Sequence, residues 1–100
     1  MSRRYAARID ENQPAIVDAL RKAGAFVHVC SDIGRGFPDL FVAHAGKGLL
    51  VEIKNPAKPI ADQRLKPDQV EFHAQCAAHG YQVHVVYSVE GALSLLEAKA

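Results

Sequence analysis

Covalent stapling is nearly absent from this chain. Its two cysteines, Cys30 and Cys76, stand far apart within apolar segments, a usage that suits small buried thiols in a reducing compartment better than a disulfide framework. A cytoplasmic protein is therefore expected. Net charge is scarce too. Twelve Lys and Arg against 11 Asp and Glu leave +1, which excludes a chain that grips nucleic acid by bulk positive charge. Any such grip must be local. Arg3, Arg4 and Arg8 form one candidate patch, and Lys54, Lys58, Arg64 and Lys66 form another, with Arg35 counted beside them as a DNA contact; the plain alternative is ordinary solvated surface charge.

Other absences narrow the chemistry. No uninterrupted apolar run approaches membrane-spanning length, and the opening MSRRYAA does not read as a secretory leader, so no membrane partner is expected. No serine has a nucleophile-elbow context, and no glycines form a phosphate loop. Beyond Cys76-x-x-His79 there is no zinc-like spacing. His28, His44, His73, His79 and His84 are thus expected to be satisfied or exposed.

What is present reads as one globular domain over residues 1–100, with 1–7 a flexible basic tail. A chain of 100 residues that is 49% hydrophobic and 23% charged can bury one core and is too short to divide it. Ile9, Ile16, Ala19, Leu20 and Ala23 recur at helical spacing, which predicts a helix over 10–23 stopped by Gly24. AFVHVC and FPDLFVAH read as strands, AGKG as a tight reversal and LLVEIK as a third strand. Residues 55–66, with two prolines and several positive charges, predict an exposed loop. Pro67 opens a helix that stops at Gly80, YQVHVVY is a fourth strand, and Ser88 caps a last helix. The order α-β-β-β-α-β-α predicts an α/β fold, a four-stranded mixed sheet flanked by helices, because the third strand must cross over through a helix to reach the fourth.

Charge inside the hairpin is the informative anomaly. Acids are disfavoured in strands, and a buried charge without a partner is costly. Yet Asp39 stands at the entry of one arm, while Glu52 and Lys54 share one face of the other, with Val51 and Ile53 on the opposite face. The hairpin would bring two carboxylates and an amine to one end of the sheet. Two close carboxylates repel unless a cation joins them, and hard oxygen donors with hydrated positions suit Mg2+ or Mn2+. Such an ion lowers the pKa of bound water and stabilises phosphoryl charge, so this is a site suited to attack on a phosphodiester. Taken singly, Asp39 also reads as a turn aspartate, and Glu52 and Lys54 as a solvent-facing pair.

Gly36-Phe37-Pro38-Asp39, Glu52-Ile53-Lys54, Pro67-Asp68-Gln69 and Glu11, in this element order, resemble the VRR-NUC family of the PD-(D/E)xK nuclease superfamily, with its restriction-endonuclease-like core. The resemblance spans roughly residues 8–90. Phe37 stands where many relatives carry a smaller residue. The resemblance implies that Asp39, Glu52 and the Ile53 carbonyl hold Mg2+ or Mn2+, that Glu11 completes the shell directly or through water, that Lys54 positions or activates the attacking water, and that Gln69 orients Lys54 or the phosphate. It further implies an endonuclease acting on branched or structured DNA, with four-way (Holliday) junctions suggested by the small viral members. A homodimer would supply the two sites that cutting both strands requires. For Glu11 the alternative is a first-turn acid favoured by the helix dipole, and for Gln69 an exposed helix position. A non-catalytic module on the same fold, or a nuclease subunit of a larger assembly, are the competing functions.

Overall fold

The computed structural model describes residues 10–97. The basic tail and the expectations for Arg3, Arg4 and Arg8 lie outside the described residues. Eight elements follow in order: α1 Gln13–Lys22, β1 Phe26–Val29, β2 Leu40–His44, β3 Lys47–Ile53, α2 Ile60–Gln63, α3 Pro67–Ala78, β4 His84–Val86 and α4 Val89–Glu97.

The helix predicted over 10–23 starts three residues later, at Gln13, with Pro14 in its first turn, where a missing N–H costs nothing. Ile16, Val17 and Leu20 form its buried stripe. It ends at Lys22, and Gly24, two residues on, holds a φ of 98° that suits a residue without a side chain. α2 is an addition to the expected order. It makes one turn inside the loop, too short for an apolar period to register, with Pro59 ahead of it holding extended backbone. The Ser88 hydroxyl accepts the Gly91 N–H at 3.0 Å, the cap expected for α4.

The sheet is mixed, in the order β1-β2-β3-β4. β1 pairs with β2 and β2 with β3 antiparallel, whereas β3 and β4 run parallel across the α2 and α3 crossover. Ala45 and Gly46 turn the β2–β3 hairpin, both at positive φ, 51° and 81°. That is the twist a two-residue turn needs to match the flanking strands. It fixes Leu40 opposite Val51 and His44 opposite Lys47.

That register decides the faces. Leu40, Val42, Val51 and Ile53 point toward α1 and α4, and with Ile16, Leu20, Val27, Val86 and Ala92 they make one contiguous core. Each large aliphatic group buried there contributes about 1.5–3 kcal/mol. The alternate residues face α3, a helix with no fully buried residue of its own.

Candidate active site

Asp39 lies one residue before β2, not within it, and the register carried back from Leu40 and Val51 sets it beside Glu52. Its Oδ2 accepts the Ile53 N–H at 2.7 Å. Its Oδ1 lies 3.5 Å from the Ser31 hydroxyl, which in turn takes the side-chain N–H of buried Gln13 at 3.2 Å. A polar relay from α1 therefore steadies one carboxylate. Glu52 is only 2% exposed, and Lys54, just past the end of β3, only 6%.

One amide joins the acid to the amine. Gln69, in the first turn of α3, donates to Glu52 Oε2 at 3.0 Å and accepts from Lys54 Nζ at 3.0 Å. Its Oε1 also accepts the Lys66 N–H at 2.8 Å, which pins it to the start of the helix. The approach of α3 depends on Gly36. A Cβ there would overlap the Asp68 carbonyl, and a φ of 81° already favours glycine. Phe37 meets Phe72 of α3 edge to face at 5.2 Å, so its bulk packs against that helix.

Electrostatics mark the pair as incomplete. Burial first, and then the neighbouring Asp39 carboxylate, push Glu52 up to about 9. Asp39 is also raised, chiefly by burial, with the Ile53 N–H acting in the opposite direction. Two charged carboxylates are thus disfavoured side by side, and Glu52 Oε1 is buried without a hydrogen-bond partner. Among the described residues no three His, Cys, Asp or Glu side chains converge to hold an ion alone. The donor set nevertheless fits a magnesium-like cation, which takes one or two carboxylates and keeps several waters. Asp39, Glu52 and the Ile53 carbonyl are the residues that would hold it.

The structure does not bring Glu11 to this pair. It is exposed in the turn ahead of α1. Asp10 is the carboxylate whose field reaches both Asp39 and Glu52. Asn12 explains why, because its amide donates to the carbonyls of Lys54 and Tyr87 at 3.2 and 3.3 Å and draws the segment onto the ends of β3 and β4. Sequence reasoning also missed His73, expected to be an ordinary satisfied or exposed histidine. Its Nε2 faces Glu52 Oε1 across 3.5 Å. The available signal was spacing, since His73 follows Gln69 by one helical turn and shares its face.

Of the expected DNA contacts, Arg35, Lys58, Arg64 and Lys66 are exposed. Lys58 stands 3.9 Å from Asp10, Lys66 precedes α3 beside Gln69, and Arg35 adjoins Gly36. Arg35 holds φ at 57°, a left-handed conformation that costs a non-glycine residue about 1–2 kcal/mol. Among the described residues no helix is long and apolar enough to cross a membrane.

The family model for the VRR-NUC domain matches residues 31–90. A solved structure described as a VRR_NUC domain is 24% identical, with a TM-score of 0.66 over 91% of this chain and 100% of its own. A second, described as a VRR_NUC domain protein, is 19% identical, with a TM-score of 0.60 over 90% of this chain and 88% of its own. Among curated proteins none matches significantly.

Proposed function

The chain belongs to the VRR-NUC family and has its nuclease-type fold, and from that premise we propose that it is a metal-dependent endonuclease hydrolysing phosphodiester bonds in structured DNA. The observation that carries this reading is the half-buried Asp39 beside the buried Glu52, which the single Gln69 amide joins to buried Lys54. Isolated ionisable groups at that depth would only destabilise the fold. Together they make a donor set for a hard cation, with an amine beside it.

Mg2+ or Mn2+, when bound, supplies Lewis-acid stabilisation of phosphoryl charge and a water of lowered pKa. The chain's own residues do the rest. Asp39 and Glu52, together with the Ile53 carbonyl, would present the oxygen ligands for that ion. Lys54, held by Gln69 Oε1, directs its ammonium at the attacking water or at the charge developing on the phosphate. Gln69 fixes Lys54 and Glu52 in one geometry, so both act from the same side. Asp10 takes the part that the resemblance assigned to Glu11, adding negative potential at the site's edge.

Substrate grip would come from Arg35, Lys58, Arg64 and Lys66 acting on phosphates. Such contacts position a backbone without reading bases, which favours structure-guided recognition. We assign four-way junctions as the preferred substrate, with two copies of this single domain, residues 1–100, cutting opposite strands. The setting is the cytoplasm, of the host if the gene is viral.

A cleavage panel of single-stranded, duplex, flapped and four-way DNA tests this, run with Mg2+, Mn2+ or chelator. The expected result is cation-dependent cutting, fastest on the four-way junction, with affinity falling as salt rises. Persistence of cutting in chelator would overturn the metal centre. No cutting of any substrate, with DNA binding intact, would favour a non-catalytic module or a subunit that needs a larger assembly.

A further inference from the structure

His73 and Glu52 are an unusual pair in this molecule. The imidazole projects from the second turn of α3, its side chain is 16% exposed, and its Nε2 stands 3.5 Å from Glu52 Oε1. Both atoms are buried, and neither makes a hydrogen bond. An orphaned buried polar atom costs about 1–3 kcal/mol. Two of them facing one another describe a bond that is not yet made. The other oxygen of the same carboxylate, Oε2, is already taken by Gln69.

We propose that His73 is a positioning residue for the cation site: its Nε2–H holds Glu52 Oε1 while Gln69 holds Oε2, so the two helix residues fix the carboxylate plane that would meet a divalent ion. This rests on the metal-centre reading above and adds a residue to it. Each carboxylate oxygen has two acceptor positions, so one can face a donor from α3 and the other a cation. Partners that orient a metal-binding side chain from behind typically change affinity by about 10–100-fold when removed. α3 thereby does two jobs along one face, one turn apart. Gln69 couples the acid to the amine, and His73 sets how the acid meets the ion.

Calorimetric titration of Mn2+ into DNA-free protein at fixed pH tests the proposal. Wild type, His73→Leu and His73→Gln are compared, with the thermal midpoint of each measured without metal. Leucine keeps apolar bulk without a donor, whereas glutamine carries an amide N–H to about the Nε2 position. His73→Leu should bind Mn2+ about 10–100-fold more weakly, with a metal-free midpoint no lower than wild type because a buried orphan has been removed. His73→Gln should recover most of the affinity. If the leucine variant fails to fold, His73→Asn replaces it, since its shorter amide reaches only the Nδ1 position and should share the loss. Equal Mn2+ affinity in wild type and the donor-free variant would overturn the role of His73 and leave the metal centre standing. A wild type that takes up no Mn2+ would overturn both.

Discussion

On the face of the sheet beneath α1 and α4, Leu40, Val42, Val51 and Ile53 are aliphatic and at most 1% exposed. On the face beneath α3, Asp39, Glu52, Lys54, Gln69 and His73 crowd into one polar cluster, with Glu52 as deeply buried as the core. The strands are the same strands. Successive side chains point to opposite faces, so Ile53 belongs to the core and Glu52, one residue earlier, to the polar cluster. One face gains its free energy from area removed from water. The other gives some back to hold ionisable groups at a depth where charges interact with little screening. Stability and activity should therefore separate by face.

Asp39→Asn should break that contrast most completely. Cleavage should fall to the level seen in chelator, while circular dichroism and DNA binding stay near wild type, because the amide oxygen can still accept the Ile53 N–H. Full activity in that variant would remove Asp39 from the mechanism. On the opposite face, Leu40→Ala should cost about 2–5 kcal/mol of unfolding free energy by denaturant titration. The fraction that remains folded should bind Mn2+ normally. Loss of metal binding in proportion to lost packing would show that the faces are not independent.

Glu52→Gln sharpens the comparison through pH. The folded-state pKa of Glu52 lies near 9, above its ordinary 4.5, so the fold favours the protonated acid. Its contribution is fully present below about 4.5 and is lost as pH rises toward about 9. In metal-free protein the thermal midpoint of Glu52→Gln should therefore exceed that of wild type by a margin that widens across this window. Saturating Mg2+ should close the gap by stabilising wild type alone. A margin independent of pH would mean that Glu52 does not titrate abnormally.

Much of this was legible in the residues. A reversal within AGKG and the period of two placed Asp39 near the end of the third strand and put Glu52 and Lys54 on one face, whereas the turn proper is Ala45 and Gly46 and β3 begins at Lys47. Ser88 declared the start of α4. α2 was not legible, since four residues carry too little of a helical period to distinguish a single turn from loop. Glu11 and Asp10 are adjacent acids whose local signals are alike. Only the Asn12 bonds to the ends of β3 and β4 decide which of them turns toward the site. Ser31 and Gln13 are unremarkable as sequence, yet they form the relay behind Asp39.

Alternation and turn chemistry are local properties of the chain, so the sequence alone determined the hairpin and the acids and amine that it gathers, while the register, with the turn at Ala45 and Gly46 and β3 beginning at Lys47, was set by the folded hairpin. The orphaned Oε1 of Glu52, the imidazole facing it and the choice of Asp10 over Glu11 belong to the tertiary structure. They depend on how close α3 and the segment before α1 come to the sheet, a distance set by packing at Gly36 and by the Asn12 bonds rather than by any spacing along the chain.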